Sequence, residues 1–139
     1  MKRIAMLIVV ASLAAACGGK DGGNPNSPSA QPQPYTQTVV GTVSSFGAVH
    51  HPLTVPRSGN MTLTLTWPGG GDLDFYLTPA SCQVYPLNGG CQILVASDSA
   101  TGSSETILRP VTQGDTYTLW VDSFVTGASR NYTIDITIR

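Results

Sequence analysis

Residues Met61 to Leu77 read MTLTLTWPGGGDLDFYL, and two alternations in that stretch decide the class of fold. Met61, Leu63, Leu65 and Trp67 take turns with Thr62, Thr64 and Thr66, the period of two that arises when a strand buries one face and wets the other. Pro68 stops the strand because it has no N–H for a ladder, and Gly69, Gly70 and Gly71 let the chain turn free of Cβ constraints. The alternation then resumes, with Leu73, Phe75 and Leu77 set against Asp72, Asp74 and Tyr76. The stretch predicts a hairpin-like pair with one apolar side. Such a pair is not stable alone, so other segments have to lay a second sheet over that side.

The flanking segments have the same character. TQTVVGTV (36–43) predicts a first strand, and FGAVHHPLTV (46–55) a second one, in which Pro52 removes a ladder donor and marks an edge strand or a bulge. QILVAS (92–97) and SETILRPV (104–111) follow. In DTYTLWVDSF (115–124), Tyr117, Leu119 and Val121 share one face while Thr118, Trp120 and Asp122 share the other. In NYTIDITIR (131–139), Tyr132, Ile134, Ile136 and Ile138 point inward. Turn residues in RSGN, DSATGSS, TQGD and VTGASR separate these runs, and no helical period is sustained after the first residues. The expected fold is all-β: an antiparallel β-sandwich of about eight strands. Spacing leaves its order open between immunoglobulin-like and jelly-roll.

The first residues are a processing signal rather than part of the fold. Lys2 and Arg3 precede the apolar run Ile4 to Leu13, and the small residues Ala14, Ala15 and Ala16 lead to Cys17. This resembles the lipobox of bacterial lipoproteins, although Ala14 stands where that family usually has leucine and Leu13 lies one position earlier. The resemblance implies that residues 1–16 are removed and that Cys17 is lipidated, which anchors the chain to the bacterial cell envelope without a transmembrane helix. Gly18 rather than aspartate follows the cysteine, which by the family's sorting pattern implies the outer membrane where there are two.

Residues 17–34 continue as GGKDGGNPNSPSAQPQP after Cys17, too poor in apolar side chains to offset the entropy of ordering, and read as a disordered tether. The folded domain is then 35–139, enough for one domain with one modest core. The seven Lys and Arg of the chain lose Lys2 and Arg3 to the signal, which leaves five against eight Asp and Glu and a side-chain charge of −3. With no basic cluster to meet a phosphate backbone, nucleic acid is not an expected partner. Once Cys17 carries lipid, Cys82 and Cys91 are left as a pair in an oxidising compartment, and a disulfide across QVYPLNGG is the economical reading. Their spacing matches neither a CxxC motif nor a four-ligand zinc site.

Beyond the signal, the pattern resembles the bacterial pre-peptidase C-terminal domain. The likeness is carried by MTLTLTW before a Gly-rich turn, GDLDFYL with Asp72 and Asp74, SSETI at 103–107, and GDTYTLWVDSF followed by GASRNYTIDITI, which together span nearly all of 45–138. The cysteine-closed insertion at 80–91 is not a usual family feature, and no peptidase domain accompanies the module. The resemblance implies a β-sandwich with an accessory or binding role, and it raises calcium as a cofactor and polymers such as collagen or polysaccharide as ligands.

Individual residues give candidates of different weight. Asp72 and Asp74, at i and i+2 beside three glycine carbonyls, are candidate calcium ligands; their plainer reading is a wet strand face next to a turn. Asp98, Glu105 and Asp122 are further oxygen donors that nothing in the spacing brings close. Trp120 and Tyr76, on outward faces, are candidates for stacking on a ligand, the plainer alternative being that a loop covers them. His50 and His51 face opposite ways on a strand and so do not chelate one ion together. Asn60 and Asn131 open glycosylation-type sequons, read here as turn residues before strands. There is no GxSxG, no HExxH and no phosphate loop, so the expectation is a protein that is not an enzyme. The reading is of a membrane-anchored, non-catalytic lipoprotein that binds a polysaccharide or protein polymer in the envelope. The alternative is a structural or accessory subunit of an envelope or secretion assembly.

Overall fold

The structure, a computed structural model, describes residues 32–85, 87 and 91–139. The expected signal peptide, the lipidation site Cys17 and the tether up to residue 31 lie outside the described residues, and Pro32 to Pro34 are exposed and belong to no strand. No helix occurs among the described residues. Eight strands follow in order: β1 (Tyr35–Val43), β2 (Ala48–Thr54), β3 (Gly59–Thr66), β4 (Leu73–Pro79), β5 (Val95–Ser97), β6 (Ser104–Val111), β7 (Thr116–Ser123) and β8 (Arg130–Ile138).

They form two four-stranded sheets, β1-β8-β3-β6 and β2-β7-β4-β5, antiparallel throughout. The expected antiparallel β-sandwich is therefore the fold. Its order is that of an eight-stranded jelly roll, in which β1 pairs with β8, β2 with β7, β3 with β6 and β4 with β5. The runs read as strands recur nearly residue for residue, except that 92–97 contributes only the three residues of β5.

One expectation is corrected. β3 and β4 are not a hairpin: β3 lies between β8 and β6 in the first sheet, and β4 between β7 and β5 in the second. Pro68 to Asp72 is an arch that carries the chain across the sandwich. The buried Trp67 indole holds the arch by donating from Nε1 to the carbonyl of Gly71 at 3.2 Å. Gly71 has φ 125°, and a Cβ there would meet Val125 Cγ2 at 2.5 Å, so any other residue is strained at this position. Five residues exceed the two-residue turns that close the tightest hairpins. The apolar faces of β3 and β4 thus meet across the core instead of side by side.

That core is continuous. Leu63, Leu65 and Ile136 from the first sheet pack with Phe75, Leu77 and Leu119 from the second, each almost wholly excluded from solvent. At about 25 cal/mol per Å² of buried apolar surface, these side chains carry most of the stability. Residues 32–139 form one compact unit containing every strand and this whole core.

Candidate functional site

The outward face of the second sheet is where most of the singled-out residues converge. Cross-strand pairing sets them in rows: Ala48, Asp122 and Asp74 form one, and His50, Trp120, Tyr76 and Ala96 the next. This face is not wet. Asp74, Thr78, Thr118, Trp120 and Asp122 are all buried, Trp120 to 3% exposure. The cover is the loop after β4, closed by a disulfide between Cys82 and Cys91 with Cα atoms 5.4 Å apart. Cys82 and Leu87 pack on Trp120 together with Ala48, Tyr76 and Cys91 in a second, smaller apolar cluster. The rings of His50 and Tyr85 lie 4.8 and 6.1 Å from the Trp120 ring.

For Trp120 the plainer of the two readings holds, that a loop covers it. Trp120 and Tyr76 both point outward, but a loop that sequence periodicity cannot place lies over Trp120, and Tyr76 is only part-exposed. The disulfide-closed segment is what covers Trp120.

Two carboxylates sit in this face, paired in register across β4 and β7. Asp74 accepts a short hydrogen bond from the Tyr76 hydroxyl, and Asp122 accepts from the Tyr85 hydroxyl at 2.7 Å and from the Ser123 N–H at 2.8 Å. Burial pushes the Asp74 carboxyl above the usual carboxylate range; the Tyr76 bond opposes this, and the charges of Asp72, Asp98 and Asp122 add to it. The Tyr85 hydroxyl is pushed up to about 12, first by its bond to Asp122 and then by burial. Burial likewise raises Tyr76 strongly. Glu105 is elsewhere, facing the interior from β6, where it accepts from Ser97 Oγ and from the Ser99 N–H at 3.0 Å and is raised by burial. Among the described residues, no group of three or more His, Cys, Asp or Glu comes together as metal ligands, and the Asp74 carboxylate is already engaged by Tyr76. Asp72 and Asp74 are therefore not members of a carboxylate cluster of that size among the described residues.

Asp72 occupies a different setting. It ends the arch, and its carbonyl accepts from the Phe124 N–H at 3.0 Å, so Asp72 and Phe124 extend the outward row of Asp74 and Asp122 by one step. Together with Gly70, Thr101, Thr126 and Arg130 they line an open cleft of about 580 Å³ at the loop end of the sandwich. The Arg130 Nε donates to the Gly70 carbonyl at 3.3 Å. Phe124 is 48% exposed, and Asp72 Oδ1 is buried with no hydrogen-bond partner. Sequence reasoning named Asp72 but missed Phe124 and Arg130. Phe124 lies two residues beyond Asp122 on the same strand face, a signal that could be used only once β4 was known to pair with β7.

His50 and His51 face opposite ways, as expected. His50 lies against Trp120, while His51 Nε2 is 2.7 Å from the Tyr132 hydroxyl at the other side of β2. Burial, then the neighbouring His50, lowers the His51 pKa, and burial raises Tyr132 to about 12.

Fold and surface together define a small jelly roll with a covered second sheet and an open loop-end cleft. No protein-family model matches the chain, and no curated protein matches it. Solved structures do. The periplasmic inhibitor of g-type lysozyme PliG from Aeromonas hydrophila is similar with a TM-score of 0.52 at 14% identity, over 75% of this chain and 86% of that one. The pre-peptidase C-terminal domain of collagenase from Bacillus anthracis gives 0.52 at 16% identity, over 73% and 88%. The Yersinia pseudotuberculosis-derived mitogen gives 0.54 at 18% identity, over 77% and 88%. The resemblance to the pre-peptidase C-terminal domain is thus borne out as a likeness of fold, and at these identities fold is all it conveys.

Proposed function

We propose that this chain is a lipid-anchored, non-catalytic binding protein of the bacterial envelope, and that its loop-end cleft takes a polysaccharide. The observation that carries the reading is the pairing of a half-exposed Phe124 ring with the acidic Asp72, neighbours across the backbone and both lining the cleft. A sugar offers a C–H face to the ring, and its hydroxyls suit an acidic residue in the cleft lining. Arg130 at the same cleft disfavours a cationic ligand and offers donors to ring and hydroxyl oxygens. The lysozyme inhibitor and the collagenase domain are compatible with a binding rather than a catalytic role for a sandwich of this shape.

Affinity electrophoresis of the 32–139 fragment in gels containing soluble envelope polysaccharides tests this. At least one polymer should retard the fragment, and Phe124→Ala should weaken binding by about tenfold, the loss of about 1.4 kcal/mol of ring contact. Unretarded migration in every polymer would reject the reading. A protein partner is the second reading, favoured by Val84 and Tyr85 on the disulfide-closed loop and Ile93 just after it, all of which stand exposed. A stoichiometric envelope protein captured by the fragment and lost with Val84→Asp would support it over the first.

A further inference from the structure

A sandwich has four sheet edges, and each exposes backbone N–H and C=O groups that can pair with another chain. Three of the four here carry recognisable blocks. β2 contains Pro52, β5 is three residues long, and β6 contains Pro110 and turns the charged Glu105 and Arg109 toward the interior. The fourth edge, β1, has none of these. It runs nine residues, YTQTVVGTV, with no proline and no charge, and Val40 on its outward face is 72% exposed. Val40 and Thr42 also help line a groove of about 600 Å³ that runs over β1 and its partner β8, away from the free edge.

We infer that β1 is a self-association edge, at which a second copy of this chain adds its own β1 antiparallel to continue the first sheet across a twofold axis. A partner of the same sequence is the occupant that β1 itself fits. With the axis through Val39, the nine residues pair in full: Tyr35 with Val43, Thr36 with Thr42, Gln37 with Gly41 and Thr38 with Val40 of the other copy. Every such pair joins residues of the same sheet face, as an antiparallel ladder requires. The outward pairs are Thr with Thr and Thr with Val, which are favourable cross-strand neighbours. Because β1 carries no charge, the twofold axis sets no like charges together. The two exposed Val40 side chains become flanked by threonine. This inference stands apart from the cleft reading, since β1 contributes nothing to the cleft.

Sedimentation equilibrium on the 32–139 fragment tests it, since that fragment holds every strand and the whole core. A monomer–dimer equilibrium is expected, with the dissociation constant raised about tenfold or more by Val40→Lys, the device that natural edges use, and left unchanged by Val84→Lys on the disulfide-closed loop. An equimolar mixture of Thr38→Cys and Val40→Cys chains should form the mixed disulfide faster than either chain links to itself. A fragment that stays monomeric at near-millimolar concentration, a dimer indifferent to Val40→Lys, or cysteines that cross-link without that preference would each overturn the inference.

Discussion

Removing the Cys82–Cys91 bridge, as Cys82→Ser with Cys91→Ser, tests whether the disulfide keeps the second sheet covered. The cysteines are nine positions apart, and closing a loop of that length removes enough denatured-state entropy to contribute about 3 kcal/mol. For a unit of 108 residues that loss should lower the melting temperature by about 10 to 15 °C. A second cost arises if the freed loop lifts from the sheet, because Trp120 then regains water over part of the roughly 150–250 Å² that a buried aromatic hides. The two costs separate by assay. Urea denaturation reads the total, and iodide quenching of the native state reads the cover alone. The protein has two tryptophans, and Trp67 is sealed at the end of the core. A lifted loop therefore makes about half of the emission quenchable, whereas a loop that stays seated leaves both residues protected. A double variant that loses less than about 1 kcal/mol and shows unchanged quenching would refute the view that this bridge fastens the loop.

Three further outcomes follow from the geometry. Asp74 has a folded-state pKa above its unfolded value, so the folded protein binds the extra proton and stability falls as pH rises from the ordinary aspartate value through the raised one; Asp74→Asn should flatten that part of a stability–pH profile. His51 has the opposite sign of dependence: its folded pKa is lowered, so the unfolded chain binds more protons and stability is lost as pH falls through the ordinary histidine range. His51→Gln should remove that slope in urea melts between about pH 7 and pH 5. Gly71→Ala should cost more than about 1 kcal/mol in urea denaturation, since φ 125° is unfavourable for alanine and the added methyl meets Val125.

Much of the architecture was legible because period-two patterning survives into the sandwich almost unchanged. Met61 to Trp67, Leu73 to Leu77 and Tyr132 to Ile138 all bury the faces their alternation assigns. Pro52 correctly marks an edge strand. Alternation says which face of a strand is dry, however, and not which sheet the strand joins. An arch and a hairpin look alike in MTLTLTWPGGGDLDFYL, and only the pairing of β3 with β8 and β4 with β7 tells them apart. The outward face of β7 left two readings open for a related reason. Thr118, Trp120 and Asp122 alternate as a wet face would, but Cys82, Leu87 and Cys91 of the segment after Pro79 pack over Trp120, and such a loop has no period to read. The cleft was hidden because its walls come from the arch, the segment before β6 and the segment before β8, which are far apart in the chain.

The pairing of Tyr35 with Ile138 and of Val43 with Arg130 has a mechanical consequence. Force delivered to the domain at Tyr35 and resisted at the cleft, beside Arg130, pulls β1 and β8 from opposite ends of one ladder about 27 Å long. Every rung between them is then strained at once in shear, instead of being peeled open one at a time, and rupture requires many bonds to fail together.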